Sequence, residues 1–291
     1  MIGGFDRHMK IRITADSTCD LSAELLSRYN VALFPMTVIR NGEAFKDGVD
    51  IFEKDLYEYF DKTGKLCSTA ASNPSEYMEF FEKEIEGYDA LIHIALSSGL
   101  SSCCQNAKIA ATETEKNVFV VDSQNLSTGS GHLVLDAADM AAAGLSAEEI
   151  VAKLEAETSL LEVSFVINTL TYLHKGGRCS ALEMFGANLL NFRPCINVVD
   201  GKLGVGKKYR GAYAAVIRKY VAERLAGRDD IQTDRIFVTH TETPREIVEA
   251  VIEAINENAK FGEIIETNAG PTIACHCGPC TLGILFKRKP E

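Results

Sequence analysis

Serine residues with the spacing of an anion site follow a short apolar run in the first half of the chain. The run, Ala90–Leu96, is nearly continuous, which is typical of a strand buried on both faces of a parallel sheet. Residues 97–102 read Ser-Ser-Gly-Leu-Ser-Ser and lead into a helix predicted from about Leu100 to Thr112. Serine hydroxyls and the free N–H groups at a helix start attract negative charge. The stretch therefore predicts an anion site, and the alternative is that Ser97 or Ser98 only caps the helix.

Ser101 also has the setting of a nucleophile, provided that His132, His240 or His276 folds next to it. The nucleophile elbow of serine hydrolases has the pattern Gly-x-Ser-x-Gly, whereas Gly99-Leu-Ser-Ser-Cys103 lacks the last glycine. That glycine normally permits the tight packing of the elbow. A serine hydrolase or esterase that uses Ser101 and His276 is therefore the alternative function.

Three cysteines near the end of the chain have the spacing of metal ligands. Cys275, Cys277 and Cys280 form this group, and Cys103-Cys104 or Cys179 would complete a tetrahedral site. Because no second paired cluster is present and free cysteine is a common buried residue, we expect no metal and no cofactor. A metal or redox role of the three cysteines stays open. No phosphate-binding loop of the Gly-x4-Gly-Lys-Ser/Thr or Gly-x-Gly-x-x-Gly type is present.

Composition and charge narrow the class of protein. The chain has 291 residues, 46% of them hydrophobic, and a formal net charge of −11, which argues against nucleic acid or an anionic membrane surface as the main partner. No apolar run approaches the roughly 18 residues that span a bilayer, and the N-terminus lacks the apolar stretch of a signal peptide. The nine cysteines are an odd number and scattered. We therefore expect reduced thiols and a cytoplasmic protein.

The elements that must position these residues indicate two α/β domains. From residue 10 to 160, strands alternate with helices and end in polar turns at Asp16-Ser17, Ser97-Ser98 and Asp122-Ser123. This pattern predicts a doubly wound parallel sheet, which binds ligands at its strand ends. From residue 161 to 291, hairpin signals increase, which predicts a second α/β domain with a mixed sheet.

Local patterns add more specific expectations. Asn41-Gly42 and Asp200-Gly201 have the residue types of hairpin turns. Asp47–Ile51 is predicted to open a helix, residues 67–74 to form a polar loop, and residues 181–191 to form another helix.

Seven stretches, taken together and in order, resemble motifs of the DegV family. They are Ile13–Leu21, Phe45–Ile51, Thr69–Tyr77, Leu96–Ser102, Leu173–Ser180, Leu189–Pro194 and His276–Pro279. Members of this family are fatty-acid-binding proteins that serve as the lipid-carrying subunit of bacterial fatty acid kinase. The resemblance extends over nearly the whole chain and implies a DegV-like fold, a long-chain fatty acid such as palmitate as ligand, and a carrier without catalysis of its own.

The resemblance also implies which residues bind the head group. Thr69 and Ser101 would hold the carboxylate, with Arg178 and His276 close behind them. The remaining members of the site would come from the same turn as Ser101, namely Ser98, Gly99 and Ser102. The acyl chain would lie in a buried pocket between the two domains.

A basic stretch would contact the protein partner. By resemblance, Arg210 faces a DAK-type fatty acid kinase subunit, with Lys207 and Lys208 beside it, and the carrier touches a membrane transiently to load lipid. The chain departs from the family motifs at two positions. Ser102 stands where the motif has Gly, and Cys280 stands where the motif has a Gly after Gly-Pro. The head-group hydroxyls are retained.

Overall fold

A computed structural model of the chain describes residues 9–179 and 192–290. The strands are β1 Ile11–Asp16, β2 Val31–Phe34, β3 Thr37–Arg40, β4 Glu43–Lys46, β5 Ser68–Ala70, β6 Ala90–Ala95, β7 Val118–Asp122, β8 Leu161–Val166, β9 Arg193–Val199, β10 Lys202–Tyr209, β11 Ile231–His240, β12 Glu263–Asn268 and β13 Leu282–Arg288. The helices are α1 Ala23–Arg28, α2 Glu53–Thr63, α3 Pro74–Glu84, α4 Cys103–Glu113, α5 Thr128–Ala142, α6 Ala147–Glu157, α7 Thr171–Gly176, α8 Tyr213–Leu225, α9 Arg245–Asn258 and α10 Pro271–Cys277.

The first part of the chain forms a parallel sheet with the strand order β2-β1-β6-β7. Every residue of β6 is buried, as predicted for a strand covered on both faces. His93 lies within β6 and bonds Thr14 Oγ1 at 3.0 Å and Asp16 Oδ1 at 3.2 Å. It is a core histidine whose two ring nitrogens both have partners.

The second part forms a mixed sheet with the order β10-β9-β8-β13-β11-β12. The last strand, β13, inserts between β8 and β11 and runs antiparallel to both. Helices α8 and α9 cover one face through a cluster that includes Ile217, Val221 and Val251. The parallel sheet followed by this mixed sheet confirms the predicted fold class.

Helix α5 lies between the two sheets. Its residues Thr128–Leu135 are all buried, and Thr128 Oγ1 bonds Thr239 Oγ1 of β11 at 2.6 Å. Close packing explains the two glycines near its start, since a Cβ on Gly129 would stand 2.7 Å from a methyl carbon of Val163, and one on Gly131 would stand 2.9 Å from the carbonyl oxygen of Cys19.

A small antiparallel sheet, β4-β3-β5, corrects one prediction. The predicted loop at residues 67–74 contains β5, which pairs with β3 through Thr69 and Val38. The strand is only three residues long and rich in small side chains, so its pairing arises from tertiary contact and not from local propensity. The hairpin turn at Asn41-Gly42 is confirmed, with φ of 55° and 86°.

Two helix starts also differ from the prediction. Asp47–Ile51 is a turn in which Gly48 has φ of 71°, and α2 begins only at Glu53. Helix α4 begins at Cys103, so neither Ser97 nor Ser98 is its cap. The helix predicted over 181–191 and part of the 189–194 motif lie outside the described residues.

The turn after β6 packs on the hairpin between β9 and β10. Ser97 Oγ donates a hydrogen bond of 2.7 Å to the carbonyl oxygen of Gly201, whose φ of 73° closes the hairpin. A Cβ on Gly99 would stand 2.5 Å from the same oxygen. The two sheets therefore meet at the predicted anion-binding turn. Among the described residues, no helix is both long and apolar enough to cross a membrane.

Candidate functional site

A cavity of about 260 Å³ lies next to the turn after β6. Its wall comes from the small sheet, from that turn, and from α7, β10 and α10. Most of the lining is apolar: Met36, Leu96, Leu100, Leu126, Leu173, Leu203 and Ile273. The cavity is larger than the apolar cavities of roughly 150 Å³ that take up a benzene molecule. It therefore has the lining of a site for an apolar ligand.

Polar side chains converge on this cavity from four segments of the chain. They are Thr69 of β5, Ser101 and Ser102 of the turn, Arg178 after α7, and His276 of α10. All five are residues that the sequence analysis assigned to the head-group site. The structure thus brings together groups that are up to 207 residues apart in sequence.

Thr69 and His276 are in direct contact. Thr69 Oγ1 lies 2.9 Å from His276 Nε2, in a hydrogen bond between β5 and α10. Helix α10 is fixed at its start by two buried carboxylates. Asp20 accepts a hydrogen bond from the Gly270 N–H at 2.8 Å, and Asp47 accepts one from the Thr272 N–H at 3.2 Å.

His276 is neutral at physiological pH. Burial lowers its pKa to about 4, and the positive charge of Arg178 acts in the same direction. When the ring proton is on Nε2, His276 donates to Thr69 Oγ1, and the threonine hydroxyl keeps its own proton for an anion. The other ring nitrogen, Nδ1, has no hydrogen-bond partner among the described residues and lies against Gly176.

Two carboxylates set the geometry of the serine turn. Asp16 accepts a hydrogen bond from the Leu96 N–H at 2.7 Å, and Asp122 accepts one from the Ser98 N–H at 3.2 Å. Ser101 Oγ accepts a hydrogen bond from the Cys103 N–H at 3.3 Å, so its hydroxyl proton also remains available to a ligand.

Ser98 and Gly99 belong to this turn but do not line the cavity. The backbone N–H of Gly99 donates to Ser97 Oγ at 3.1 Å, and Gly99 packs against Gly201. The described structure thus divides the seven predicted binding residues into five that line the cavity and two that support the turn.

Arg178 supplies positive charge at the exposed side of the cavity. It is solvent-exposed, and one of its terminal nitrogens donates to the carbonyl oxygen of Gly176 at 2.7 Å. This bond holds the guanidinium close to the turn that ends α7. The guanidinium of Arg178 would attract an anion bound at Thr69 and Ser101 while remaining in contact with solvent.

The basic residues assigned to a partner lie away from the cavity. Lys207 and Lys208 are on β10, the edge strand, where Lys207 pairs with Glu223 at 2.6 Å. Arg210 follows β10, and its guanidinium lies 4.4 Å from the centre of the Phe192 ring. Because Leu203 of the same strand lines the cavity, β10 links this basic edge to the candidate site.

Sequence reasoning missed the two carboxylates that hold α10. Burial raises the pKa of Asp20 well above its ordinary value and also raises that of Asp47. A residue pattern cannot show that both reach the start of a helix more than 220 residues later.

Over residues 9–179 and 192–290, no group of three or more His, Cys, Asp or Glu side chains could hold a metal ion.

Comparison with known proteins identifies the family. A family model described as "Uncharacterised protein, DegV family" matches residues 10–289. A DegV domain-containing protein of Caldanaerobacter subterraneus subsp. tengcongensis is 32% identical over 282 residues, which are 96% of this chain and 99% of the relative. The chain belongs to the DegV family.

Two solved structures share the fold over almost the whole chain. A DegV family protein from Thermus thermophilus superimposes with a TM-score of 0.85 at 27% identity, over 96% of this chain and 100% of its own. The description of that structure names fatty acid binding. DegV from Bacillus subtilis, described as a fatty acid binding protein, has a TM-score of 0.82 at 26% identity over 97% of this chain and 100% of its own.

Proposed function

We propose that the protein binds a long-chain fatty acid in this cavity and acts as a carrier. The observation that carries the proposal is that the polar side chains of Thr69, Ser101 and Arg178 line the same largely apolar cavity. Two relatives of the same fold are described as fatty acid binding. The carboxylate accepts the free hydroxyl protons of Thr69 and Ser101, and the acyl chain lies against the leucine side chains.

The energetics favour a ligand with one charged end. Each buried methylene contributes about 0.8 kcal/mol, so an acyl chain of ordinary length gains on the order of 10 kcal/mol. A buried carboxylate without partners would cancel several kcal/mol of that gain. Two hydroxyl donors and the charge of Arg178 offset this cost. When neutral His276 carries its proton on Nε2, it donates to Thr69 Oγ1 and leaves the threonine proton for the carboxylate.

The hydrolase alternative requires His276 to accept a proton from Ser101. Instead, Nε2 of His276 bonds Thr69, and Nδ1 lies against Gly176. A pKa of about 4 also makes the imidazole a weak general base at neutral pH. These contacts favour the carrier over the hydrolase.

In this proposal the protein presents the carboxylate to a separate kinase in the cytoplasm. Arg178 marks the exposed side of the cavity, and the basic residues Lys207, Lys208 and Arg210 extend from the strand that carries Leu203. A DAK-type fatty acid kinase subunit with an acidic docking surface fits this edge. Lipid enters during transient contact with a membrane.

Mass spectrometry of an organic extract of the purified protein tests the proposal. We expect one fatty acid per chain in the wild type. Because a hydrogen bond to a charged group contributes about 1.5–3 kcal/mol, Ser101→Ala should weaken retention by about tenfold or more. Ser75→Ala removes a hydroxyl from an exposed position of α3 and is the matched control, with wild-type retention.

The result that overturns the carrier is a wild-type protein that contains no fatty acid and takes up none on incubation. Ester hydrolysis that disappears in Ser101→Ala would instead support the hydrolase.

A further inference from the structure

Two cysteines lie on the two segments that the hydrogen bond between Thr69 and His276 connects. Cys67 directly precedes β5, and Cys275 is the residue before His276 in α10. The hydrogen bond between Thr69 and His276 brings these two segments together, so the two cysteines lie near each other. Cys275 is buried in an apolar cluster with Tyr57 and Tyr172, and Cys67 packs against that cluster.

The chemistry of the two thiols differs in the way that disulfide formation requires. Cys67 is half-buried, and its interactions with Cys275 and with the positive charge of Arg40 lower its pKa. Cys275 is buried, and its neighbour and its burial raise its pKa, so it remains a thiol. A half-buried thiol of lowered pKa near a second thiol is the arrangement of redox-sensitive cysteines.

Cys280 provides a contrast within the same chain. It is half-buried like Cys67, but burial and the charge of Glu242 raise its pKa. Exposure alone therefore does not distinguish Cys67. Cys67 differs from Cys280 because it packs against the apolar cluster that contains Cys275.

We propose that Cys67 and Cys275 are a reversible oxidation site for hydroperoxides, and that the resulting disulfide ties the strand of Thr69 to the helix of His276. The Cys67 thiolate attacks one oxygen of hydrogen peroxide, which breaks the O–O bond, gives a sulfenic acid and releases hydroxide. The Cys275 thiol then attacks the sulfenic sulfur, the S–S bond forms, and water leaves with the Cys275 proton. The two thiols are oxidised and one peroxide is reduced. A dithiol reverses the step by exchange.

The disulfide would act on the head-group site, an effect that rests on the proposed function. An S–S bond is about 2.05 Å long, much shorter than a contact between two thiols. It would pull Cys67 toward α10 and prevent β5 from moving away from the helix. Because Thr69 and His276 are on these two elements, the fatty acid would leave and enter more slowly in the oxidised protein.

Peroxide treatment followed by alkylation, digestion and mass spectrometry tests the oxidation site. We expect a peptide linked through Cys67 and Cys275 in the wild type, and its loss after dithiothreitol. Cys67→Ser should give no linked peptide, whereas the matched control Cys280→Ser should give as much as the wild type. Alkylation of both cysteines after peroxide, or a sulfinic acid at Cys67 without linkage, would overturn the proposal.

Transfer of labelled palmitate to phosphatidylcholine vesicles tests the effect on the ligand. We expect transfer from the oxidised wild type to slow by about fivefold or more, the lower end of ordinary coupling between sites, and transfer from Cys67→Ser to be insensitive to peroxide. Equal rates before and after linkage would overturn the effect on the ligand. A protein that takes up no palmitate contradicts the proposed function, and the linked peptide still decides the oxidation site.

Discussion

Replacing Gly176 by alanine should displace His276 and weaken fatty acid binding. Gly176 is the last residue of α7, and a Cβ built there would stand 2.4 Å from His276 Nδ1. The φ angle of Gly176 is not in the left-handed region, and alanine is favoured over glycine in a helix by about 1 kcal/mol. The substitution therefore changes the contact with His276 without straining the backbone.

The size of the effect follows from the displacement. Non-bonded carbon atoms pack at about 3.5 Å or more, so the imidazole must move by about 1 Å. A shift of that size breaks a hydrogen bond of 2.9 Å between Nε2 and Thr69 Oγ1. If the Thr69 hydroxyl then loses its orientation toward the carboxylate, the loss of about 1.5–3 kcal/mol lowers affinity by about ten- to a hundredfold.

Displacement of a fluorescent fatty acid, measured together with thermal unfolding, is the assay. Gly177→Ala is the matched control, because Gly177 has φ of 67° and a Cβ there would meet nothing within 4 Å. Its strain of about 1–2 kcal/mol should lower the unfolding temperature and leave affinity unchanged. Wild-type affinity in Gly176→Ala, or equal losses in the two variants, would refute the reasoning.

Three further predictions concern stability. Gly99→Ala should destabilise the protein by about 2 kcal/mol in urea unfolding, because its Cβ would stand 2.5 Å from the Gly201 oxygen. Gly204→Ala, with open space around it, should cost less than about 0.5 kcal/mol. Equal losses of stability in the two variants would contradict this prediction. Burial lowers the pKa of His132 to about 4 from 6.5, so the unfolded state binds the proton first as the pH falls. The free energy of unfolding should therefore fall by about 3 kcal/mol between pH 6.5 and pH 4. His132→Gln should lose this part of the pH dependence, and an unchanged profile would show the attribution to be wrong. Lys287 pairs with Asp136 at 2.7 Å and with Glu157 at 2.5 Å, so Lys287→Met should cost about 3 kcal/mol in the same urea assay. Unchanged stability of Lys287→Met would count against a stabilising role of these pairs.

Local pattern predicted the elements around the turn well. The apolar run Ala90–Leu96 predicted a buried strand, and β6 is one, because a strand covered on both faces has no polar side to show. Asn41-Gly42 predicted a hairpin because both residues tolerate positive φ. These features depend on neighbours in sequence, which a single chain displays directly.

Features that depend on distant contacts were not predictable in the same way. Strand β5 exists because Thr69 pairs with Val38, and its small residues gave no local signal. The position of β13 between β8 and β11 follows from pairings across more than 40 residues. The family resemblance placed Thr69 and His276 near each other, but their hydrogen bond and the carboxylates of Asp20 and Asp47 came only from the structure.

A crystal structure with a palmitate analogue that carries bromine at its terminal carbon tests the central claim most directly. The anomalous signal of bromine locates the end of the chain, and the density of the carboxylate locates the head. We predict carboxylate oxygens about 3 Å from Thr69 Oγ1 and Ser101 Oγ, with bromine among the leucine side chains of the cavity. A carboxylate bound elsewhere, or bromine next to Thr69, would contradict the account.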